Sequence, residues 1–424
     1  MITAPPLHRS VAGHGTDQDT LPRAAAHPAI HPRLVVPGSE DGPLGLAAER
    51  ALGTYDKGRY GTDPALLMDT LEASGLRGRG GAAFPAHIKW RGVAAGDGPR
   101  VVVANGEEGE PASFKDRWLL THRPHLVLDG LLLAARTVGA GRAVVYLSHP
   151  LTVAAVRTAL AELAEHDAES AARIEIHTVE PTYVAGEESA VCQSVNGGPA
   201  LPTAKPPRPH ECGVDGRPTL VSNVETVAHA AWISRHGADA YRTEGTRTSP
   251  GTMLVTLSGA CARPGVYEVP LGLTVGSLFA EVGGGLNDGV HGFLMGGWFG
   301  GVVGLEGTGT TVCYDAMRAA GSGLGCGAVT ALGPDDDPLR VAARIAAWYA
   351  DESAAQCGVC VNGTKAIRDT FARLADGTGS AADHTRLARW GLTLSGRGAC
   401  SFLDGAATLA RTTTAVYSAS FPTS

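Results

Sequence analysis

Residues 75–111 read GLRGRGGAAFPAHIKWRGVAAGDGPRVVVANGEEGEP, and the fold is read outward from them. VVVAN at 101–105 is a short, continuous apolar run, the pattern of a strand buried on both faces. The stretch opens with four glycines among seven residues. Before it, Leu66, Leu67 and Leu71 share one face of a helix that Asp63 starts and Gly75 stops. After it, AVVYL (143–147) and RIEIHTV (173–179) read as further strands, separated by helical stretches at 124–137 and 150–165. Strands alternating with helices predict an α/β domain with a parallel or mixed sheet covered by helices.

The texture changes further along. Residues 252–335 hold short strands and glycine clusters with one helix near 274–282, which predicts a small β-rich or α+β domain. From Asp337 the helical period returns in LRVAARIAAWYA, TKAIRDTFARL, HTRLARWGLTL and GAATLARTTTAVY, a bundle of about four helices. Residues 1–45 show no sustained period and read as a flexible tail, with His8, His14, His27 and His31 solvated. The expected domains are therefore 46–240, 241–335 and 336–424.

Composition excludes several classes. Lys and Arg total 35 against 42 Asp and Glu, a net charge of −7, without the basic excess that nucleic-acid phosphates require. The longest apolar stretch is broken by Asp129, Arg136 and Arg142, and MITAPPLHRS lacks the apolar core of a secretory signal. A soluble cytoplasmic protein is expected. Eight cysteines in 424 residues without secretory features favour metal or redox chemistry over a disulfide framework.

Five stretches could carry chemistry. Gly78, Gly80 and Ala83 formally fit G-x-G-x-x-G/A, but a helix precedes them where that fingerprint needs a strand. Backbone N–H groups with Arg77, Arg79 and Lys89 could still hold a phosphate. Glu107, Glu108 and Glu110 follow the strand VVVAN, and Glu187 and Glu188 start a helix after Gly186. Ser222 and Glu225 match a capping box, whose helix start could receive an anion. Cys357 and Cys360 form a Cys-x-x-Cys pair with Cys400 forty residues on, spacing suited to an iron-sulfur cluster or zinc. The other five cysteines are expected as small buried hydrophobes.

Taken in order, GLRGRGGAAFPAHIKW, ANGEEGEPASFKDR, YVAGEESA, KPPRPHECGVDGRPTLVSNVET, SGACARPGVYEVPLG, ESAAQCGVC and GRGACSFLDGAA resemble the NADH-oxidising flavoprotein subunit of respiratory complex I. The same family includes the diaphorase subunits of NAD-linked hydrogenases and formate dehydrogenases. The resemblance runs from about residue 55 to the C-terminus. It implies a Rossmann-like FMN domain, a β-grasp (ubiquitin-like) domain and a four-helix iron-sulfur bundle. It also implies electron flow from NAD(P)H through FMN to the cluster and on to a partner protein, a ferredoxin-like or small iron-sulfur subunit, membrane-associated or not. By motif, Gly78, Arg79, Gly80 and Lys89 contact FMN. Asn105, Glu107, Glu108, Glu110, Gly186, Glu187 and Glu188 surround its ribityl chain and ring, and Ser222, Asn223 and Thr226 hold the phosphate end. Gly81, Phe84, Glu110 and Glu188 meet the nicotinamide nucleotide, with Glu110 as the catalytic residue, and Cys357, Cys360 and Cys400 ligate the cluster.

The sequence departs from the family's pattern in five places. Glu107 replaces an Asp and Ser222 an Asn, both of which keep the polar function. Gly92 and Arg208 stand where aromatic residues clamp adenine, so a weaker nicotinamide complex is expected. Ala354 stands where the family has a fourth cluster cysteine. Its iron would need Ser353, Gln356, water, a small thiol or a partner side chain, and the cluster is expected as a labile four-iron or a three-iron form. The alternatives are a flavin subunit with a non-nicotinamide partner such as ferredoxin, and a degenerate partner-binding subunit.

Overall fold

A computed structural model describes residues 21–56 and 63–422. It contains ten strands: β1 Ala24–Ala26, β2 Arg100–Asn105, β3 Ala140–Leu147, β4 Ile174–Thr178, β5 Thr219–Asn223, β6 Thr252–Gly259, β7 Gly265–Pro270, β8 Gly292–Met295, β9 Val302–Gly304 and β10 Ala328–Leu332.

The first sheet has the order β4-β3-β2-β5 and is wholly parallel. Its middle strands are buried Val and Ala runs, as a sheet covered by helices on both faces requires. The covering helices match the periodicity closely. Pro124–Val138 and Pro150–His166 fill the expected 124–137 and 150–165. Pro64–Ser74 is capped by the Asp63 carboxylate and stops at Gly75, whose φ of 69° is left-handed. The chain leaves β2 for β3 on one side and returns as β5 on the other, so the carboxyl ends of β2 and β5 flank a topological switch point. Ligands of open α/β sheets bind there. Strand β5 was not legible in the sequence: TLVSN merges with the pattern of the following helix, and the N-cap is Asn223, not Ser222.

The second sheet has the order β1-β7-β6-β10-β8-β9. Parallel β6 and β10 lie at its centre, flanked antiparallel by β7 and β8, and the helix Val275–Glu281 packs against it. This is a β-grasp arrangement. A helix at Tyr314–Ala319, not expected from the sequence, also belongs here. Four helices then form the C-terminal bundle: Pro338–Asp351, Gly358–Ala375, Ala381–Thr393 and Phe402–Val416.

Residues 1–20 of the expected tail lie outside the described residues, but residues 21–45 are built into the fold. Strand β1 pairs parallel with β7, and His27 is buried against Glu281 at 2.7 Å rather than solvated. The Glu268 carboxylate on β7 accepts the backbone N–H groups of Arg33, Leu34 and Val35 and the Thr252 hydroxyl. Arg33 lies between the rings of Trp232 and Tyr241, 4.6 and 4.7 Å from their centroids. The expectation of a tail fails because its cues are compositional. The hydrophobic cluster Leu34-Val35-Val36 is too short to show a period, and its backbone is satisfied by a carboxylate more than 200 residues away.

Replacing Glu268 by Ala leaves three buried N–H groups without an acceptor. The cost expected is about 3–5 kcal/mol, at one to three per orphaned group with partial relaxation. Urea unfolding measures it; a loss below about 1 kcal/mol would show that this segment is not held as described.

Candidate functional site

The glycine loop is a closed turn. Gly78 N–H donates to the Phe84 carbonyl (2.8 Å), and Ala86 N–H donates to that of Leu76 (2.9 Å). The loop lies over the start of the long helix Val224–Tyr241: Arg79 N–H donates to Thr226 Oγ1 at 2.9 Å, and a Cβ on Gly80 would stand 3.3 Å from that of Asn223. Backbone donors and a helix N-terminus thus converge, an arrangement suited to phosphate.

The Arg79 side chain does not join them. It is buried and donates to Tyr314, Tyr241 and the Thr252 carbonyl at 2.9–3.0 Å. Its guanidinium holds the loop onto β6, and its backbone N–H is taken by Thr226. Lys89, partly exposed, reaches the same crevice and pairs with Glu188 at 2.9 Å.

The carboxylate loop divides its acids between two tasks. Glu108 accepts Ser113 Oγ, the N–H groups of Asp116 and Arg117, and Arg117 Nε. It caps the helix Lys115–His122 and does not face the crevice as the motif implied. Glu107 is buried with neither carboxylate oxygen hydrogen-bonded. It lies against Gly186, whose carbonyl accepts Asn105 Nδ2 at 2.9 Å. Burial, with the negative Glu108 next to it, pushes the Glu107 carboxyl up to about 8. Burial pushes Glu110 up to about 8 as well, against the Trp298 N–H that donates to it at 3.1 Å. Glu187 caps its own helix through Ser189 N–H and Ala190 N–H and pairs with Lys205.

Beneath both loops lies a group that sequence reasoning missed. Lys115 is fully buried, 2.8 Å from both Asp116 Oδ1 and Glu225 Oε2. Asp116 accepts Asn223 Nδ2 (2.7 Å), and Glu225 accepts Leu254 N–H of β6 (2.9 Å). The charged run KDR after GEEGEP was its available signal, but a burial of this kind is set by tertiary partners.

In the bundle, Cys357, Cys360 and Cys400 line one hollow with Pro202, Ser353, Ala354 and Phe402. Ser353 Oγ is 3.6 Å from Cys360 Sγ. Among the described residues no three His, Cys, Asp or Glu side chains are grouped as for a single metal ion; three thiols around a hollow suit a polynuclear cluster. Of the other cysteines, Cys212 is exposed, contrary to expectation, while Cys192, Cys261 and Cys313 are buried and Cys326 partly so.

Residues 71–232 match the FMN-binding domain of Nuo51, residues 254–296 the SLBB domain, and residues 340–423 the iron-sulfur binding region of NADH-ubiquinone oxidoreductase-F. The F 2 subunit of NADH-quinone oxidoreductase in Rhizobium meliloti (strain 1021) is 32% identical over 374 residues, covering 85% of this chain and 87% of that protein. The chain belongs to the family of NADH-quinone oxidoreductase F subunits. Within that family it is also similar to the NADP-reducing hydrogenase subunit HndC of Solidesulfovibrio fructosivorans, 33% identical over 76% of this chain and 69% of that one. A chain of a solved NAD+-reducing [NiFe]-hydrogenase in the air-oxidized state superposes with a TM-score of 0.79 at 32% identity. The match covers 86% of this chain and 64% of that chain.

The family's cofactors fit the residues present. The unpaired Glu107 oxygens, the Gly186 and Gly80 approaches and the loop N–H groups form a polar cradle for FMN. The three thiols with their hollow give a soft donor set for an iron-sulfur cluster.

The raised acids predict a pH effect on the FMN-free protein. Unfolded, the Glu107 carboxyl releases its proton near 4.5; folded, it keeps it to about 8. The folded state binds more protons between these values, so stability falls as pH rises through that window. Glu107→Gln should unfold with a shallower loss from pH 5 to 8, and be more stable than the parent at pH 8. Equal slopes in urea midpoint against pH would refute the assignment.

Proposed function

We propose that this chain takes electrons from a nicotinamide nucleotide and passes them by way of FMN to the bundle cluster, and from there to a partner protein. The observation that carries this is the continuity between the two sites. Tyr183 packs directly on the carboxylate loop: a Cβ on Gly109 would fall 2.6 Å from the Tyr183 Cα. Its ring stacks on Phe299 at 4.5 Å and lies 5.4 Å from that of Phe402, which lines the cluster hollow. One aromatic residue therefore separates the flavin crevice from the wall of the cluster site.

FMN, when bound, exchanges a pair of electrons on one side for single electrons on the other. The chain's own residues supply the rest. The backbone of Gly80, the start of the helix at Asn223 and Lys89 would hold the phosphate; Gly78 and Arg79, whose N–H groups are bonded to Phe84 and Thr226, shape the loop around it. Asn105 and Glu107 line the ribityl and ring side, where a neutral Glu107 can both donate and accept. Glu110, fixed by Trp298 N–H, is the proposed catalytic position, with Gly81, Phe84 and Glu188 toward the nicotinamide nucleotide. Phe84 is 51% exposed, an aromatic face open to adenine. Arg208 is also exposed, 3.8 Å from Glu188. Its planar fork can stack on adenine or pair with a 2′-phosphate, which makes NADPH a donor alongside NADH.

No helix among the described residues is long and apolar enough to cross a membrane. The proposed setting is the cytoplasm, and the proposed partner is a ferredoxin-like or small iron-sulfur subunit, since the relatives are subunits by name.

Lys89→Met should weaken FMN binding roughly 10- to 150-fold, the equivalent of one charge-assisted bond of about 1.5–3 kcal/mol. Flavin fluorescence titration reads it, and a change below threefold would remove Lys89 from the site. Stopped-flow flavin reduction tests the donor. Rapid reduction by NADH or NADPH is expected, with nucleotide binding roughly 10- to 100-fold weaker than with two further aromatic contacts. Equally slow reduction by both would overturn the nicotinamide assignment.

A further inference from the structure

The fourth corner of the cluster site is where this chain differs chemically from a four-cysteine centre. Ala354 lines the hollow with a methyl group, and the polar side chains that line it besides the cysteines are Ser353 and Gln356. Ser353 is adjacent to Ala354 in the chain. Its Oγ lies 3.6 Å from Cys360 Sγ, within hydrogen-bonding range of the sulfur, and accepts from Ala355 N–H at 3.3 Å. Two terminal ligands of one cluster stand on different irons, further apart than a single hydrogen bond. Ser353 is therefore placed to donate to the Cys360 sulfur, not to replace the missing thiolate.

The other candidates in the chain are also poorly placed. Gln356 lines the hollow only from its exposed rim, no carboxylate or histidine lines it, and the rest of its wall is Pro202, Ala355, Gly398, Ala399 and Phe402. The rim at Ala355 and Gln356 faces solvent.

We propose that this hollow is a ligand-binding site: a cluster held by Cys357, Cys360 and Cys400 keeps one iron open beside Ala354, and that iron takes an external thiolate. The inference rests on the cluster reading above. A thiolate matches the softness of the iron and needs no polar wall to support it; its sulfur donates a lone pair to the iron, and no electron changes hands. Ser353 is a positioning residue, setting the potential through its hydrogen bond to Cys360.

Full-length protein, reconstituted anaerobically with iron and sulfide, is compared with Ala354→Cys and Ser353→Ala. Iron and sulfide per chain are measured first. Electron paramagnetic resonance spectra are then recorded with 2-mercaptoethanol and, separately, with a cysteine-containing decapeptide. The expected result is a saturable change of the parent spectrum on thiol addition and no change in Ala354→Cys, which fills its own corner. A response to 2-mercaptoethanol identifies a small-molecule donor; a response to the decapeptide alone identifies a protein-borne cysteine. Ser353→Ala should keep the thiol response with a lower reduction potential. A fully loaded parent that ignores both thiols overturns the open iron, as does an equal response in Ala354→Cys. Loss of the cluster in Ser353→Ala would make Ser353 a ligand and overturn the inference equally. Absence of iron and sulfide from both parent and Ala354→Cys would instead refute the cluster reading itself.

Discussion

The buried charge group of Lys115, Asp116, Glu225 and Arg79 is the constraint on which the crevice depends. Lys115 sits at equal distance from Asp116 and Glu225. Asp116 takes the Asn223 amide, Glu225 takes a backbone N–H of β6, and Arg79 ends on a β6 carbonyl. Four separate pieces of chain are therefore locked together: the glycine loop, the carboxylate loop, the start of the long helix and the β-grasp sheet. Burying charges is unfavourable unless each is paired and hydrogen-bonded, so the group has few alternative arrangements. That rigidity leaves Glu107 buried and unpaired at the surface of the crevice, a position that a fold would not hold without such support beneath it.

The aromatic packing performs a comparable task between crevice and bundle. Tyr183, Phe299, Trp348, Tyr349 and Phe402 meet in stacked and edge contacts with centroids 4.5–6.4 Å apart. Tyr183 N–H is also bonded to Glu352 in the bundle at 3.2 Å. The distance between the two redox sites is thereby fixed by side-chain packing and not by a linker.

Much of this was legible in the sequence, because the elements that build it carry local patterns. Asp63 to Gly75, the VVVAN strand and the bundle helices follow from period, caps and breakers. The motifs in order also pointed to the right loops. What they did not show was side-chain direction. Arg79 reads as a phosphate ligand and turns inward; Glu108 reads as one of three equivalent acids and caps a helix. Ser222 and Asn223 exchange roles because β5 ends one residue later than the capping pattern suggested. The deciding partners of Arg79, Tyr241 and Tyr314, lie more than 160 residues away and have no local signature; those of Glu108, Asp116 and Arg117, are eight and nine residues on, but only the turn of the loop brings the helix start to the carboxylate. Residues 21–45 mislead for the same reason, since Glu268 supplies the order that their own composition lacks.

The two borders of the β-grasp sheet come from distant parts of the chain. At one border, β1 from the first described residues covers β7. At the other, the N–H of Val302 on the three-residue β9 is taken by the Thr412 hydroxyl, from the last helix of the bundle. An open strand edge is a template for pairing with another molecule, and here the second edge is sealed only by a residue 110 positions further along the chain. A β-grasp sheet that forms before the last helix of the bundle docks therefore leaves this border open to pairing, so the order in which the two parts fold decides whether the edge is ever exposed.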